Sequence, residues 1–238
     1  MIYLFDVDGT IAEAQQAISS EMEAALLQLS NAHQVYLVTG SDYDTLLDKK
    51  QLTPDMEQSL SGIFACMGCE LWQKGKLVHK NDHKFPPQLR FELGKILETS
   101  DYPVRKGRHI VERTGMINFS IIGRHATPVD RRTYENYDRD YGEREKIVKH
   151  LSGMFKEYDF HIGGKISIDI CPKDQNKSQI IEHLPGDSVM FMGDKMQEGG
   201  NDYHLATLIE VDDLGVCYAV DDPEDALTII ETILAAPL

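Results

Sequence analysis

Short apolar runs alternate along this chain with stretches of helical periodicity. Ile2-Tyr3-Leu4-Phe5 predicts a short buried strand. Ser20-Glu21-Met22-Glu23 reads as a capping box, and Met22, Ala25, Leu26 and Leu29 then share one helical stripe. Val35–Val38 predicts the next strand, ending in Thr39-Gly40-Ser41-Asp42, and Ile63–Cys66 a third. Strand, helix, strand, with polar residues at the carboxyl end of each strand, is the pattern of a parallel α/β sheet.

The order changes near Asp82. Pro86-Pro87 opens a helix to about Ser100, strands are predicted at Arg108–Glu112 and Met116–Ile122, and Glu143–Tyr158 is amphipathic through Ile147, Val148, Leu151 and Phe155. Two more strands are predicted at Asp159–Ile162 and Lys165–Ile170. The order α-β-β-α-β-β marks residues 82–172 as an inserted antiparallel α+β unit, with 1–81 and 173–238 forming the core. Ile166, Ile168 and Ile170 face away from Lys165, Ser167 and Asp169, and Asn118 and Ser120 oppose Ile117, Phe119 and Ile121. Such a sheet is ordinarily half solvated. The other reading is that its polar face covers a substrate. The parallel pattern resumes with a helix at Ser178–His183 and strands at Ser188–Met192 and Leu208–Val211. A terminal helix follows, capped by Asp222 with Pro223 at its first position.

The 238 residues are 42% hydrophobic and 26% charged, enough for one or two cored domains. No apolar stretch reaches the ~18 residues of a membrane helix. A strand beginning at residue 2 leaves no room for a signal peptide, so a cytoplasmic location is expected. The net charge of −15 argues against a nucleic-acid partner. A phosphorylated substrate would need local positive charge from a metal and a few placed basic residues. Cys66-Met67-Gly68-Cys69 lacks the second CxxC of a zinc site, so Cys66, Cys69, Cys171 and Cys217 are expected as free thiols.

Candidate chemistry centres on Asp6-Val7-Asp8-Gly9-Thr10. Alternation points Asp6 and Asp8 into one cavity, where they repel unless a cation or proton lies between them. A hard divalent ion such as Mg2+ suits those oxygens. An EF-hand is the alternative, but the glycine stands at position 4 of such a loop and position 12 is Ala17. Gly193-Asp194 after an apolar strand, followed by Gly199-Gly200-Asn201-Asp202, offers a third acid to the same metal.

These strings resemble the haloacid-dehalogenase-type phosphotransferases, and most closely the eukaryotic-type phosphomannomutases. The resemblance runs nearly end to end through FDVDGT (Phe5–Thr10), GSD (Gly40–Asp42), RxGMxNxSxxGR (Arg113–Arg124), GGxISxDxxP (Gly163–Pro172), Lys177 and GDKxxxGGND (Gly193–Asp202). It implies a Rossmannoid parallel-sheet core with an inserted α+β cap of type C2b. By position it implies Asp6 as nucleophile and Asp8 as general acid/base, its carbonyl on Mg2+. It implies Asp194 as metal ligand with Asn201 and Asp202 close by, and Lys177 as neutraliser of phosphoryl oxygens. Thr39 and Ser41 lie in the phosphate-grip loop, and either hydroxyl could make the contact. Arg113, Arg124 and Arg131 would bind the remote phosphate, and Asn118, Ser167 and Asp169 face the sugar. A phosphorylated hexose as substrate, a hexose 1,6-bisphosphate as activator and a homodimer through the cap are also implied.

Three departures bear on function. Gln15 stands where the family carries a substrate-binding arginine, Cys66-Met67-Gly68 replaces Glu-Asn-Gly, and Leu208 replaces an acid tied to a second cation. An uncharged amide forgoes a guanidinium–phosphate pair of about 1.5–3 kcal/mol. The expected function is interconversion of mannose 6-phosphate and mannose 1-phosphate through a bisphosphate. The alternative is a sugar-phosphate phosphatase with the same nucleophile. A non-catalytic scaffold fits poorly with an intact set of Asp6, Asp8, Lys177 and Asp194.

Overall fold

The computed structural model describes residues 1–186 and 188–235. In chain order the elements are β1 (Ile2–Asp6), α1 (Ser20–Ser30), β2 (Gln34–Val38), α2 (Tyr43–Asp48), α3 (Pro54–Ser59), β3 (Gly62–Ala65), β4 (Glu70–Gln73), β5 (Lys76–Lys80), α4 (Pro87–Thr99), β6 (Ile110–Arg113) and β7 (Met116–Phe119). There follow α5 (Pro128–Tyr141), α6 (Glu143–Met154), β8 (Tyr158–Gly163), β9 (Ser167–Pro172), β10 (Val189–Gly193), α7 (Tyr203–Val211), β11 (Gly215–Ala219) and α8 (Pro223–Ala235).

Two sheets result. The larger has the order β11-β10-β1-β2-β3-β4-β5. It is parallel from β11 to β3, and β4 and β5 add an antiparallel edge. Buried side chains on its two faces form separate cores, one around Phe5, Leu26, Leu37 and Ile63, the other around Leu4, Phe64, Phe191 and Leu205. The smaller sheet is antiparallel in the order β6-β7-β9-β8. It packs Ile117, Phe119, Ile168 and Ile170 beneath Leu89, Tyr134 and Leu151 of α4, α5 and α6. The chain enters this second unit after β5 and leaves it after β9. Among the described residues no helix is long and apolar enough to cross a membrane.

Several local expectations are corrected. The cap of α1 is Ser19, whose Oγ accepts from the Met22 amide at 3.1 Å, so the Ser20–Glu23 capping box does not form. Leu208–Val211 is not a strand but the end of α7, where Leu205, Ala206 and Ile209 are buried at helical spacing. The last parallel strand is β11, later in the chain. Ser178–His183 lies in a 3-10 helix, Lys177–His183. The cap order gains α5, whose start is a capping box of Thr127 and Asp130 with Pro128 at the first position. The β4–β5 hairpin was likewise not expected.

The polar face of the smaller sheet is not solvated. Asn118, Ser120, Ser167 and Asp169 are all buried, the face being turned down onto the carboxyl ends of the parallel strands. The seam is tight. The Ile162 amide of β8 donates to the Gly199 carbonyl at 2.9 Å, and the ring of His161 meets that of His204 edge-on at 5.1 Å. Gly40 lies so close that a Cβ there would stand 3.0 Å from Asp169 Oδ2.

His161 is 4% exposed and its Nε2 has no hydrogen-bond partner. Burial, helped by His204, pushes its pKa down to about 4. The unfolded chain binds this proton near pH 6.5 and the folded chain does not, so stability falls as pH drops through the interval between. Between pH 7 and pH 4.5 this group should cost about 2–3 kcal/mol. Urea unfolding at both pH values should show His161→Phe losing less stability on acidification than the parent protein. Equal losses would contradict this account of His161.

Candidate active site

The parallel strands deliver the acids. Asp6 is the last residue of β1, Thr39 follows β2 and Asp194 follows β10, so all three emerge at the carboxyl edge where open α/β sheets place their ligands. Gly9 makes the turn at φ +100°, and a Cβ there would stand 2.6 Å from Asp194 Oδ2.

Lys177 organises the floor. It is fully buried, and its Nζ donates to Asp6 Oδ1 and, at 2.7 Å, to Asp202 Oδ1. Burial works against its charge, but Asp202 and Asp6 outweigh that and hold its pKa above the ordinary value. The Asp6 carboxyl moves up, first through burial and then through repulsion from Asp202 and Asp194. Lys195 Nζ reaches Asp194 Oδ2 at 2.7 Å, and the Lys195 amide donates to Asp202 Oδ2 at 3.1 Å.

Asp6, Asp194 and Asp202 can each turn a carboxylate oxygen to within 4.8 Å of the others. Three carboxylates thus share two ammonium groups. The Asn201 Oδ1 beside them is buried without a partner. An all-oxygen set with surplus negative charge and an orphaned acceptor fits a hard divalent cation.

Asp6 and Asp8 line one cavity, as the sequence predicts, although β1 itself ends at Asp6. The Asp8 carboxylate accepts from the Gln15 amide and from Gln51 Nε2, both at 2.8 Å on Oδ1, and from Ser41 Oγ at 3.3 Å on Oδ2. Thr39 Oγ1 accepts the Ser41 amide at 3.0 Å, so both loop hydroxyls border the same space. Asp42 caps α2 and also meets Arg113 Nε at 3.2 Å.

The smaller sheet supplies the facing wall. Arg113, Asn118, Arg124, Arg131, Ser167 and Asp169 line one cavity with Asp6, Asp8, Thr39, Ser41 and Asn201. The guanidiniums differ in what already holds them. Arg113 donates to the Gly40 carbonyl as well as pairing with Asp42. Arg131 is tied to the carbonyls of Ala126 (3.1 Å) and Arg124 (3.2 Å). Arg124 makes no side-chain hydrogen bond among the described residues. Its pKa is drawn down to about 10 by burial and then by Arg113 and Arg131, which together outweigh the opposite pull of Asp8 and Asp169. Asn118 Nδ2 donates to Asp169 Oδ1 at 2.6 Å.

Two residues here escaped the sequence reading. Gln51 holds Asp8, and no motif surrounds it. Arg144 grips Asp138 at 2.7 Å and donates to the carbonyls of Gly164 (3.0 Å) and Ser167 (3.3 Å), fixing the turn that presents Ser167. Its position at the start of a charged helix gave no sign of burial. Cys66, Cys69 and Cys171 are buried free thiols and Cys217 is half-buried.

The cavity between the two sheets is narrow, with about 40 Å³ accessible to water.

Comparison with known proteins supports one lineage. The family model described as eukaryotic phosphomannomutase matches residues 22–236. The phosphomannomutase of Saccharomyces cerevisiae is 33% identical over 241 residues, covering 96% of this chain and 92% of that protein. A probable phosphomannomutase of Caenorhabditis elegans is 31% identical over 246 residues, covering 98% and 95%. Among solved structures, the C-terminal domain of C. albicans trehalose-6-phosphate phosphatase superposes with a TM-score of 0.68 at 19% identity, covering 99% of this chain and 92% of that one. IMP-bound Plasmodium falciparum IMP-nucleotidase, truncated at its N-terminus, gives 0.61 at 12% identity, covering 99% and 68%. At those identities the likeness is one of fold, that of the haloacid-dehalogenase-like phosphatases. The chain belongs to the eukaryotic phosphomannomutase family.

Proposed function

We propose that this protein is a Mg2+-dependent phosphohexomutase that interconverts mannose 6-phosphate and mannose 1-phosphate through a phospho-Asp6 enzyme and a hexose 1,6-bisphosphate. What supports this most is one cavity with two unlike walls. One wall carries Asp6, with Lys177 bonded beneath it, together with Asp8, and the facing wall carries three guanidiniums, of which that of Arg124 makes no hydrogen bond among the described residues. A substrate with a phosphate at each end matches that arrangement.

In the forward step an Asp6 oxygen attacks phosphorus. The phosphorus–sugar oxygen bond breaks, and its electron pair leaves on the sugar oxygen, which takes a proton from Asp8. In the return step the other sugar hydroxyl gives its proton to Asp8, its oxygen takes the phosphoryl group and Asp6 is freed. Lys177 offsets charge on the equatorial oxygens, and the Thr39–Ser41 loop borders them. Asp6, Asp194, Asn201 and the Asp8 carbonyl would hold Mg2+, with Asp202 orienting Lys177 beside it. When bound, that ion supplies positive charge that lowers repulsion between the carboxylate and the phosphate. Arg113, Arg124 and Arg131 take the remote phosphate by paired N–H donors, and Asn118, Ser167 and Asp169 take sugar hydroxyls. Closure excludes water, which protects the aspartyl-phosphate. The free thiols suit a cytoplasmic setting. Exposed Phe91, Val129 and Tyr141 on the cap helices suit a homodimer through the cap.

A second reading, a sugar-phosphate phosphatase, is favoured by Gln15. Its amide lines the cavity uncharged, and Nε2 is buried without a partner. Mannose 1-phosphate and Mg2+, with and without hexose 1,6-bisphosphate, separate the two. The mutase gives hexose 6-phosphate at a rate the bisphosphate stimulates and chelation abolishes. Release of inorganic phosphate alone would overturn the mutase in favour of the phosphatase. Asp6→Asn should lower turnover by roughly 10⁴-fold with the thermal unfolding midpoint retained. A variant keeping a few per cent of activity would exclude Asp6 as nucleophile. Arg124→Ala should raise KM by about 10- to 100-fold while leaving the Mg2+ titration unchanged. An unaltered KM would remove Arg124 from the remote-phosphate site.

A further inference from the structure

Gln51 is a side chain with no packing reason to be polar. It lies two residues past Lys49, which caps the end of α2, on a segment held by backbone bonds, its own amide donating to the Leu46 carbonyl at 2.9 Å and the preceding carbonyl, of Lys50, accepting from Ile18 at 3.0 Å. The residue is 0% exposed. Its one side-chain hydrogen bond among the described residues runs from Nε2 to Asp8 Oδ1 at 2.8 Å, and its Oε1 is buried with no donor. A buried amide half satisfied in this way costs stability that an apolar side chain of the same size would not.

We infer that Gln51 is the positioning residue for proton transfer at Asp8, and that it directs the transferable proton to Oδ2. The inference rests on the proposed role of Asp8 as proton carrier. Its geometric basis is the division of labour between the two Asp8 oxygens. Oδ1 accepts two N–H groups, from the Gln15 backbone and from Gln51, which arrive from segments 36 residues apart in sequence. Both acceptor positions of Oδ1 are then occupied, so a proton bound to the carboxyl sits on Oδ2. Oδ2 meets only the Ser41 hydroxyl, at 3.3 Å, on the side of the substrate cavity. Without Gln51 the carboxyl plane would be held only by the Gln15 amide and the longer Ser41 contact at 3.3 Å. A second donor from an independent direction fixes that plane and aims Oδ2 at the departing sugar oxygen. Gln51 touches neither substrate nor metal in this arrangement and acts through Asp8 alone.

The distinguishing property of such a residue is dependence on the leaving group. An alkoxide needs the Asp8 proton as the bond to phosphorus breaks, whereas acetate leaves without one. The full-length protein is therefore labelled on Asp6 by rapid quench from two ³²P donors, a hexose 1,6-bisphosphate and acetyl phosphate. Gln51→Met keeps the volume and removes the donor. Gln51→Glu keeps the shape and, when ionised, cannot donate. In both variants the ratio of the bisphosphate rate to the acetyl phosphate rate should fall about tenfold or more, since general acid catalysis contributes on the order of 10²–10⁴-fold. A ratio equal to that of the parent protein overturns the inference, whether the two rates hold or fall together, because a merely structural role moves both alike. Parent protein that takes label from neither donor overturns the phospho-Asp6 reading and this inference with it.

Discussion

The buried ammonium of Lys177, held between Asp6 and Asp202, is the interaction on which the rest of the site depends. Withdrawing a lysine wholly from water costs several kcal/mol, and only two carboxylates in hydrogen-bond contact make that tolerable. The reverse also holds. Without Lys177 the acids at the ends of β1 and before α7 would face one another in a dry pocket, at a cost of about 3–5 kcal/mol. One side chain, brought from between β9 and β10, ties together three segments distant in sequence. It also leaves a surplus of negative charge, because Asp194 adds a third carboxylate. On the proposed function a divalent cation would complete the charge balance of the floor and suit it to an incoming phosphoryl group.

The facing wall poses the opposite problem. Arg113, Arg124 and Arg131 converge on the same small cavity, where burial and then the other two guanidiniums draw the Arg124 pKa down. An acidic chain of net charge −15 thereby holds a locally cationic pocket, as a phosphorylated ligand requires. The two walls carry complementary deficits. A divalent cation would offset the first and, on the proposed function, the remote phosphate of the substrate would offset the second. The carbonyl of Gly199 and the ring of His204 are contacts by which the smaller sheet's unit meets the core.

Much of this was legible in the sequence, for physical reasons that can be stated residue by residue. The parallel strands are continuous apolar runs because both of their faces are covered, and each ends in a polar residue at the one edge left open. Asp6, Thr39 and Asp194 could be placed from that rule alone. The strict alternation of Ser167, Ile168, Asp169 and Ile170 defined the cap sheet, but alternation cannot tell water from a substrate-bearing partner, so by itself it left both readings of the polar face open. Leu208–Val211 misled because four apolar residues suit a strand and a helix end equally. The helix α5 carries a capping box and a leading proline, yet its body is so rich in charge and tyrosine that no apolar stripe announced it. Gln51 and Arg144 were illegible for a deeper reason. Each is a polar residue buried by tertiary contacts, and nothing in its neighbours along the chain encodes the partner.

The central claim is that phosphorus passes onto Asp6 and back to sugar. The most direct measurement traps the protein in acid during turnover on radiolabelled hexose 1,6-bisphosphate, maps the labelled peptide, and then chases with unlabelled hexose monophosphate before trapping. The account predicts one acid-stable, base-labile phosphoryl group on the amino-terminal peptide at Asp6, which the chase returns to sugar. Isomer formation that proceeds with label on another residue, or with none on the protein, would contradict it.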